Sequence, residues 1–265
     1  EGELIDALYS STTGGITARF SDVWNGFDRP YLQPVVDSLA VTWDLAARPL
    51  SDEANFRSFI NLQNRFNEDD WPTFRWKRSG TLEEITTGVK EYLTNRQNPL
   101  ANLKAVTGLT VTERSDAGRV QTLLVNTDVG DFELHKNEVV SALIPPRSQL
   151  FYLEPMYQTK ENEKADAPAA DSADAKQTPP VLKGYTFVGG GFGHGVGMSQ
   201  TGSYRLGESG WPYQRILQFY YPNTQLLPIT NDIVLWQEPE TAPAEAAEPA
   251  APVAPPEDDP AFSLP

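Results

Sequence analysis

The stretch GGGFGHGVGMSQTG, residues 189–202, sets His194 among six glycines between Gly189 and Gly197 and follows it with Met198, Ser199 and Gln200. An imidazole, a hydroxyl and an amide this close together can exchange hydrogen bonds with a polar ligand. The glycines would let such a ligand lie against bare backbone amides. The pattern lacks the closing Lys-Ser/Thr of a phosphate loop. Ser199 sits in Gly-Met-Ser-Gln-Thr, which is not the Gly-x-Ser-x-Gly of a hydrolase elbow. The sequence has only 2 histidines, and His135 in FELHK reads as an exposed strand residue. A Ser-His-Asp triad and a zinc site are therefore both poor fits, and no metal or cofactor follows from these residues. Two readings stay open: a groove for an extended polar ligand with His194, Ser199 and Gln200 on its rim, or a loop that His194 anchors by bonding to backbone carbonyls.

Around this loop, GYTFVGG reads as a strand that delivers the glycines, and MSQTGSYRLGESG as a helix starting near Met198 and closed by Gly210. WPYQRILQFYYP reads as a second helix with Pro212 at its first position, where the missing N–H is harmless. Ile216, Leu217 and Tyr220 fall on one face of it. Upstream, Thr81 and Glu84 form a capping box ahead of Leu82, Ile85, Val89, Tyr92 and Leu93 at helical spacing, which predicts a helix over residues 82–93. GLTVTERSDAGRVQTLLVNT predicts two strands about the turn 115–118. DFELHKNEVVSALI predicts a third strand passing into a short helix, and DIVLWQE a last strand. The fold class is α+β: a β-rich core with a few short helices.

With 39% hydrophobic and 11% aromatic residues the 265-residue chain can bury a core. No apolar run is long enough to span a membrane, and no leader is visible at the start. Cysteine is absent, which excludes disulfides and thiolate chemistry. The net charge of −15 is uneven: the tail from Gln237 holds seven acidic residues and no Lys or Arg. The Ala/Asp/Pro-rich stretch 159–180 and the Pro-rich tail 237–265 are expected to be disordered. The remainder is only mildly acidic and has no basic cluster, so nucleic acid is not an expected partner.

The segment GGGFGHGVGMSQTGSYRLGESGWPYQRILQFYYPNTQL resembles the closing motif of the stage II sporulation protein D family, the SpoIID/LytB domain. The likeness is tightest at Gly193–Gln200 and Ile216–Pro222, with Phe192 for the family's usual Trp and Asn223 for its usual Gly. YSSTTGGITARFSDVWNGFDRPYLQPVVDS, FRWKRSGTLEEI and VTERSDAGRVQTLLV are similar to further family segments in the same order. The resemblance covers about residues 4–236, with 159–180 as an insertion.

The resemblance implies bacterial cell-wall biology outside the cytoplasm. Some members are lytic transglycosylases acting on peptidoglycan glycan strands, and LytB-type members enhance a cell-wall amidase. By this resemblance, Tyr9, Ser10, Ser11, Thr13 and Gly14 on one side and Gly193, Gly195, Gly197, Met198, Ser199 and Gln200 on the other would bind glycan, with His194 as the catalytic candidate. The family's catalytic Glu lies on an early helix whose motif does not occur here. Asp22 and Glu208 are the nearest alternatives, and both also read as ordinary solvated acids. Tyr220 and Tyr221 could stack on sugars or belong to the core. The implied partners are glycan strands and a cell-wall amidase, or a missing N-terminal part of the domain. In that last case the opening LIDALY would be a strand without its partner.

Overall fold

The computed structural model describes residues 3–158, 180–228 and 234–235. Its strands are β1 (Glu3–Leu4), β2 (Tyr9–Ser10), β3 (Arg75–Thr81), β4 (Val106–Arg114), β5 (Val120–Thr127), β6 (Phe132–His135), β7 (Phe151–Tyr157), β8 (Leu182–Gly190), β9 (Met198–Ser199) and β10 (Val234–Leu235). Its helices are α1 (Glu53–Ile60), α2 (Leu82–Asn95), α3 (Glu138–Ala142), α4 (Gln200–Glu208) and α5 (Tyr213–Tyr220). The fold is α+β. No helix among the described residues is long and apolar enough to cross a membrane.

Two antiparallel three-stranded sheets, ordered β3-β8-β7 and β4-β5-β6, form the frame. The helix α2 covers them, sharing a core in which Ile85, Val89, Leu93, Val120, Leu123, Phe151 and Phe187 are buried. Its start is the expected capping box: the Glu84 N–H donates to Thr81 Oγ1 at 3.1 Å and the Thr81 N–H to Glu84 Oε2 at 2.8 Å. The β4–β5 turn closes with the Gly118 N–H on the Ser115 carbonyl at 2.8 Å. A second cluster joins Phe56, Phe59, Phe66, Phe74 and Trp43, and a third packs Val196, Leu206, Tyr220 and Tyr221 against Ala18, Val23 and Leu32.

Several boundaries differ from the sequence reading. Met198 and Ser199 form a strand, so α4 begins at Gln200. Pro212 caps α5 from the extended region, at ψ 150°, and the helix proper starts one residue later. The opening LIDALY is not one strand: Leu4 closes β1, which pairs in parallel with β10, Tyr9 opens β2, and Leu4 is 50% exposed with Ile5 and Leu8 half-buried. Strands β3 and β7 carry no clean alternation and are not anticipated by the sequence reading; neither is helix α1, although Phe56, Phe59 and Ile60 recur at helical spacing behind the Asp52 cap. The stretch 159–179 and the tail from residue 236 lie outside the described residues, and so do both disorder expectations. At the end of the β7–β8 pair the Gln158 N–H donates to the Val181 carbonyl at 2.9 Å, so these two residues meet at one rung.

Candidate functional site

Strand β8 ends at Gly190, and the glycine-rich segment after it is stitched to residues 8–18. Phe192 and Thr12 form an antiparallel bridge, and the Ala18 N–H reaches the Gly195 carbonyl at 2.8 Å. The Met198 N–H donates to Leu8 O at 3.0 Å, and β2 pairs in parallel with β9, with Tyr9 opposite Met198 and Ser10 opposite Ser199. The Thr201 N–H closes the run on Ser11 O at 3.2 Å. The two stretches that the sequence places on either side of a groove are therefore direct neighbours along one seam.

Beneath the seam lies a buried carboxyl pair. Glu68, fully buried, accepts from the backbone N–H groups of Thr13 (2.6 Å), Gly14 (2.9 Å) and Gly15 (3.0 Å) and from the Thr13 hydroxyl (3.0 Å). The Ser199 hydroxyl donates to it from the loop side. Asp37 is buried beside it and accepts from Asn67 Nδ2 and from the Tyr220 hydroxyl, each at 2.8 Å. Burial, and then the Glu68 charge, hold the Asp37 carboxyl well above the usual carboxylate range. Gly202 makes room for this group: a Cβ there would collide with the Tyr220 hydroxyl and the Asp37 carboxyl.

Arg119 is the other buried charge under the loop. Its Nη2 donates to the carbonyls of Thr13 and Ile16, each at 3.0 Å. A Cβ at Gly195 would fall on this guanidinium, which is one physical reason for that glycine. Asp22, buried and raised mainly by desolvation, feels the Arg119 charge and accepts from the Arg19 N–H at 3.0 Å.

His194 is half-buried, with its ring tilted against Trp24 at a centroid distance of 4.9 Å. Its Nδ1 accepts the Val196 N–H at 3.0 Å. Burial, reinforced by the Arg119 charge, pushes its pKa down to about 4. The ring is therefore neutral near pH 7, and with Nδ1 occupied as an acceptor its proton sits on Nε2. That proton is directed at the Tyr9 backbone, which ties the ring to the strand opposite and partly offsets the downward shift. No lone pair is left on the ring to take up a proton without breaking the Val196 contact.

The remaining residues of interest divide into a rim and a scaffold. Tyr9 (57% exposed), Gly193 and Gln200 face solvent, and Ser11, His194 and Met198 are half-buried beside them. Gly193 is the loop glycine with space above it, for a Cβ there would meet only the Ser10 side chain at 3.5 Å. Ser10, Thr13, Gly14, Gly195, Gly197 and Ser199 are buried. Ser199 caps α4, its Oγ accepting the Gly202 N–H at 2.9 Å. Tyr220 and Tyr221 belong to the core. Glu208 is exposed and lies 3.7 Å from Arg205.

Glu68, Asp37, Arg119 and Trp24 were not anticipated as parts of this neighbourhood. Trp24, Asp37 and Arg119 lie in segments similar to the family but carry no sign there of a shared site, and Glu68 is an acid near apolar residues, a signal too common to single out. Beside Met198 the surface forms a depression of about 450 Å³ lined by Ser203, Tyr204, Gly207, Glu208, Tyr213, Ile216 and Leu217. A larger depression, about 950 Å³, lies along α2 and the start of β4 and includes no loop residue. Among the described residues no group of three or more His, Asp or Glu is placed to hold a metal.

Comparison with known proteins adds two findings. A family model described as a domain of unknown function (DUF8618) matches residues 18–197, more than half of the chain. The chain is also 28% identical over 237 residues to a protein named "Amidase enhancer" from Bacillus subtilis (strain 168). The aligned region is 85% of this chain and 30% of that relative, so the chain spans less than a third of the relative's length.

Proposed function

The chain belongs to the DUF8618 family, and from that premise we propose that it is a cell-wall accessory protein that binds peptidoglycan glycan strands along the Tyr9–His194–Gln200 rim. In this reading it works outside the cytoplasm of a bacterium, as a partner of a cell-wall amidase. The likeness to an amidase enhancer supports the setting. The observation that carries the mode of action is the state of the His194 ring. His194 Nδ1 accepts from Val196, the ring is neutral and its other nitrogen bonds the Tyr9 backbone, which suits a residue that fixes the shape of the rim and leaves the sugar contacts to Tyr9 and Gln200. It does not suit general-base or general-acid work at pH 7, which needs a group that exchanges a proton near that pH.

Glu68, the carboxyl group that touches the seam, is occupied as well. Glu68 is held by five hydrogen bonds from Thr13, Gly14, Gly15 and Ser199. A SpoIID-type transglycosylase would need one such group facing a glycosidic oxygen. Binding without cleavage is therefore the favoured reading. The test is to incubate the purified chain with glycan strands stripped of stem peptides, measure co-sedimentation, and examine the strands by mass spectrometry. Retention of the strands, lost in the Tyr9→Ala/Gln200→Ala variant and with no anhydro-muramyl ends formed, is the expected result. Anhydro-muramyl ends produced by this chain alone would replace the reading with the transglycosylase one.

A further inference from the structure

The depression beside Met198 has the features of a second binding site on the same face, and its argument rests on the glycan-binding reading above. Tyr204 on α4 and Tyr213 at the start of α5 are 71% and 61% exposed, and both line it. Neither phenol makes a hydrogen bond or ring contact among the described residues, whereas Trp211 and Phe219 on the same hairpin are taken up by each other, by Arg215 and by Tyr220. The floor is apolar: Ile216, Leu217 and the flat spot at Gly207, where a Cβ would meet nothing closer than Ile216 Cδ1 at 4.0 Å. Ser203 and Glu208 supply polar atoms at its edge.

This arrangement matches one kind of ligand unit. A pyranose ring has one apolar C–H face and a polar perimeter, so it stacks on an aromatic side chain while its hydroxyls stay wet, and a tyrosine's amphipathic ring meets both needs. A volume of about 450 Å³ lies within the range of roughly 300–1,000 Å³ typical of small-ligand sites. A protein-docking face would need a broader patch, on the order of 800 Å² per partner. The site also continues from the rim. Met198 belongs to both, paired with Tyr9 in β2–β9, and α4 runs from Gln200 at the rim to Glu208 at the depression, about 12 Å at ~1.5 Å per residue.

The geometry points to a second sugar subsite in which Tyr204 and Tyr213 receive the C–H faces of further β-1,4-linked amino-sugar units of the strand held at the rim. A short oligosaccharide would fill the rim alone, and a longer one would reach both. The test is calorimetric titration of the chain with a short and a long β-1,4-linked N-acetylglucosamine oligomer. The Tyr204→Ala/Tyr213→Ala variant is expected to bind the long oligomer about tenfold more weakly and the short one as the wild type does. The corresponding Phe variant, which keeps the rings, is expected to stay close to wild type for both.

Unchanged binding of the long oligomer by the Ala variant overturns the subsite while leaving the rim reading in place. Equal loss by the Ala and Phe variants overturns stacking as its basis. Normal glycan binding by the Ala variant together with lost amidase stimulation would assign the depression to a protein partner instead. If the wild type binds neither oligomer nor glycan strands, the rim reading fails and takes the subsite with it. Both tyrosines are exposed, so the variants are expected to melt as the wild type does, which a thermal scan verifies.

Discussion

Ser199 gives its hydroxyl proton to Glu68 and accepts the Gly202 N–H, so one side chain joins the first turn of α4 to the carboxyl group that holds Thr13, Gly14 and Gly15. The motif residue that reads in sequence as a ligand contact is, in the fold, a helix cap with a buried partner. The rim above it keeps its shape because this connection lies below.

Removing Glu68 therefore affects the seam before it affects any ligand. In Glu68→Ala three backbone N–H groups lose their acceptor in a buried place, at about 1–3 kcal/mol each when nothing replaces it. We expect a total loss of about 3–5 kcal/mol, read from the urea midpoint. Ser199→Ala removes the cap and one of the bonds to Glu68 and is expected to cost about 1–2 kcal/mol.

Asp37 gives a pH-dependent counterpart. Its folded pKa lies above its unfolded value, so its contribution to stability is present at low pH and declines as pH rises through the folded pKa. Asp37→Asn keeps an acceptor for Asn67 and Tyr220 and removes the titrating proton. The variant is expected to lie within about 1 kcal/mol of wild type near pH 4, the ordinary carboxylate value, and to gain on it as pH rises from there. Parallel denaturation curves from about pH 4 upward measure the difference.

His194 titrates in the opposite sense. Its folded pKa of about 4 lies below the ordinary histidine value of 6.5, so the unfolded chain binds the extra proton first as pH falls. Its contribution, on the order of 2–3 kcal/mol, is present above about pH 6.5 and disappears toward pH 4. The stability difference between wild type and His194→Gln should accordingly shrink across that window, as urea titrations at each pH would show. A constant difference would mean that the ring is not held neutral by its surroundings.

Two glycines of the loop should respond differently to alanine. Gly195 has φ +73° and its missing Cβ is replaced by the Arg119 guanidinium, so Gly195→Ala is expected to destabilise by about 3 kcal/mol or more. Gly193 has φ +97° but open space, so Gly193→Ala should cost only the backbone strain, about 1–2 kcal/mol, and should weaken glycan binding by crowding the rim. Melting temperatures and strand co-sedimentation separate the two effects.

The capping box of α2, the hairpin at 115–118 and the strand that delivers the glycines were legible because each depends on local chemistry. Strands β3 and β7 were not, since Arg75–Thr81 and Phe151–Tyr157 expose and bury residues without a clean alternation. The loop was recognisable, but the reasons for its individual glycines were not. Gly195 is explained by Arg119 and Gly202 by Asp37 and Tyr220, residues that only the tertiary fold brings near. Glu68 was invisible for the same reason: its partners lie 53–55 residues upstream and 131 downstream. Local pattern reveals elements, while long-range pairing decides which polar residues face a ligand.

The stitching of residues 8–18 to the glycine loop and α5 also fixes when the rim can exist. The Leu8 carbonyl accepts from the Met198 N–H and also from the Tyr221 hydroxyl, 213 residues later. At translation rates of about 5–20 residues per second, that carbonyl waits roughly 10–40 s for Tyr221 to be made. The face that we assign to the glycan is thus among the last parts of the nascent polypeptide to be assembled, and early release or truncation before α5 would leave its opening residues without that mate.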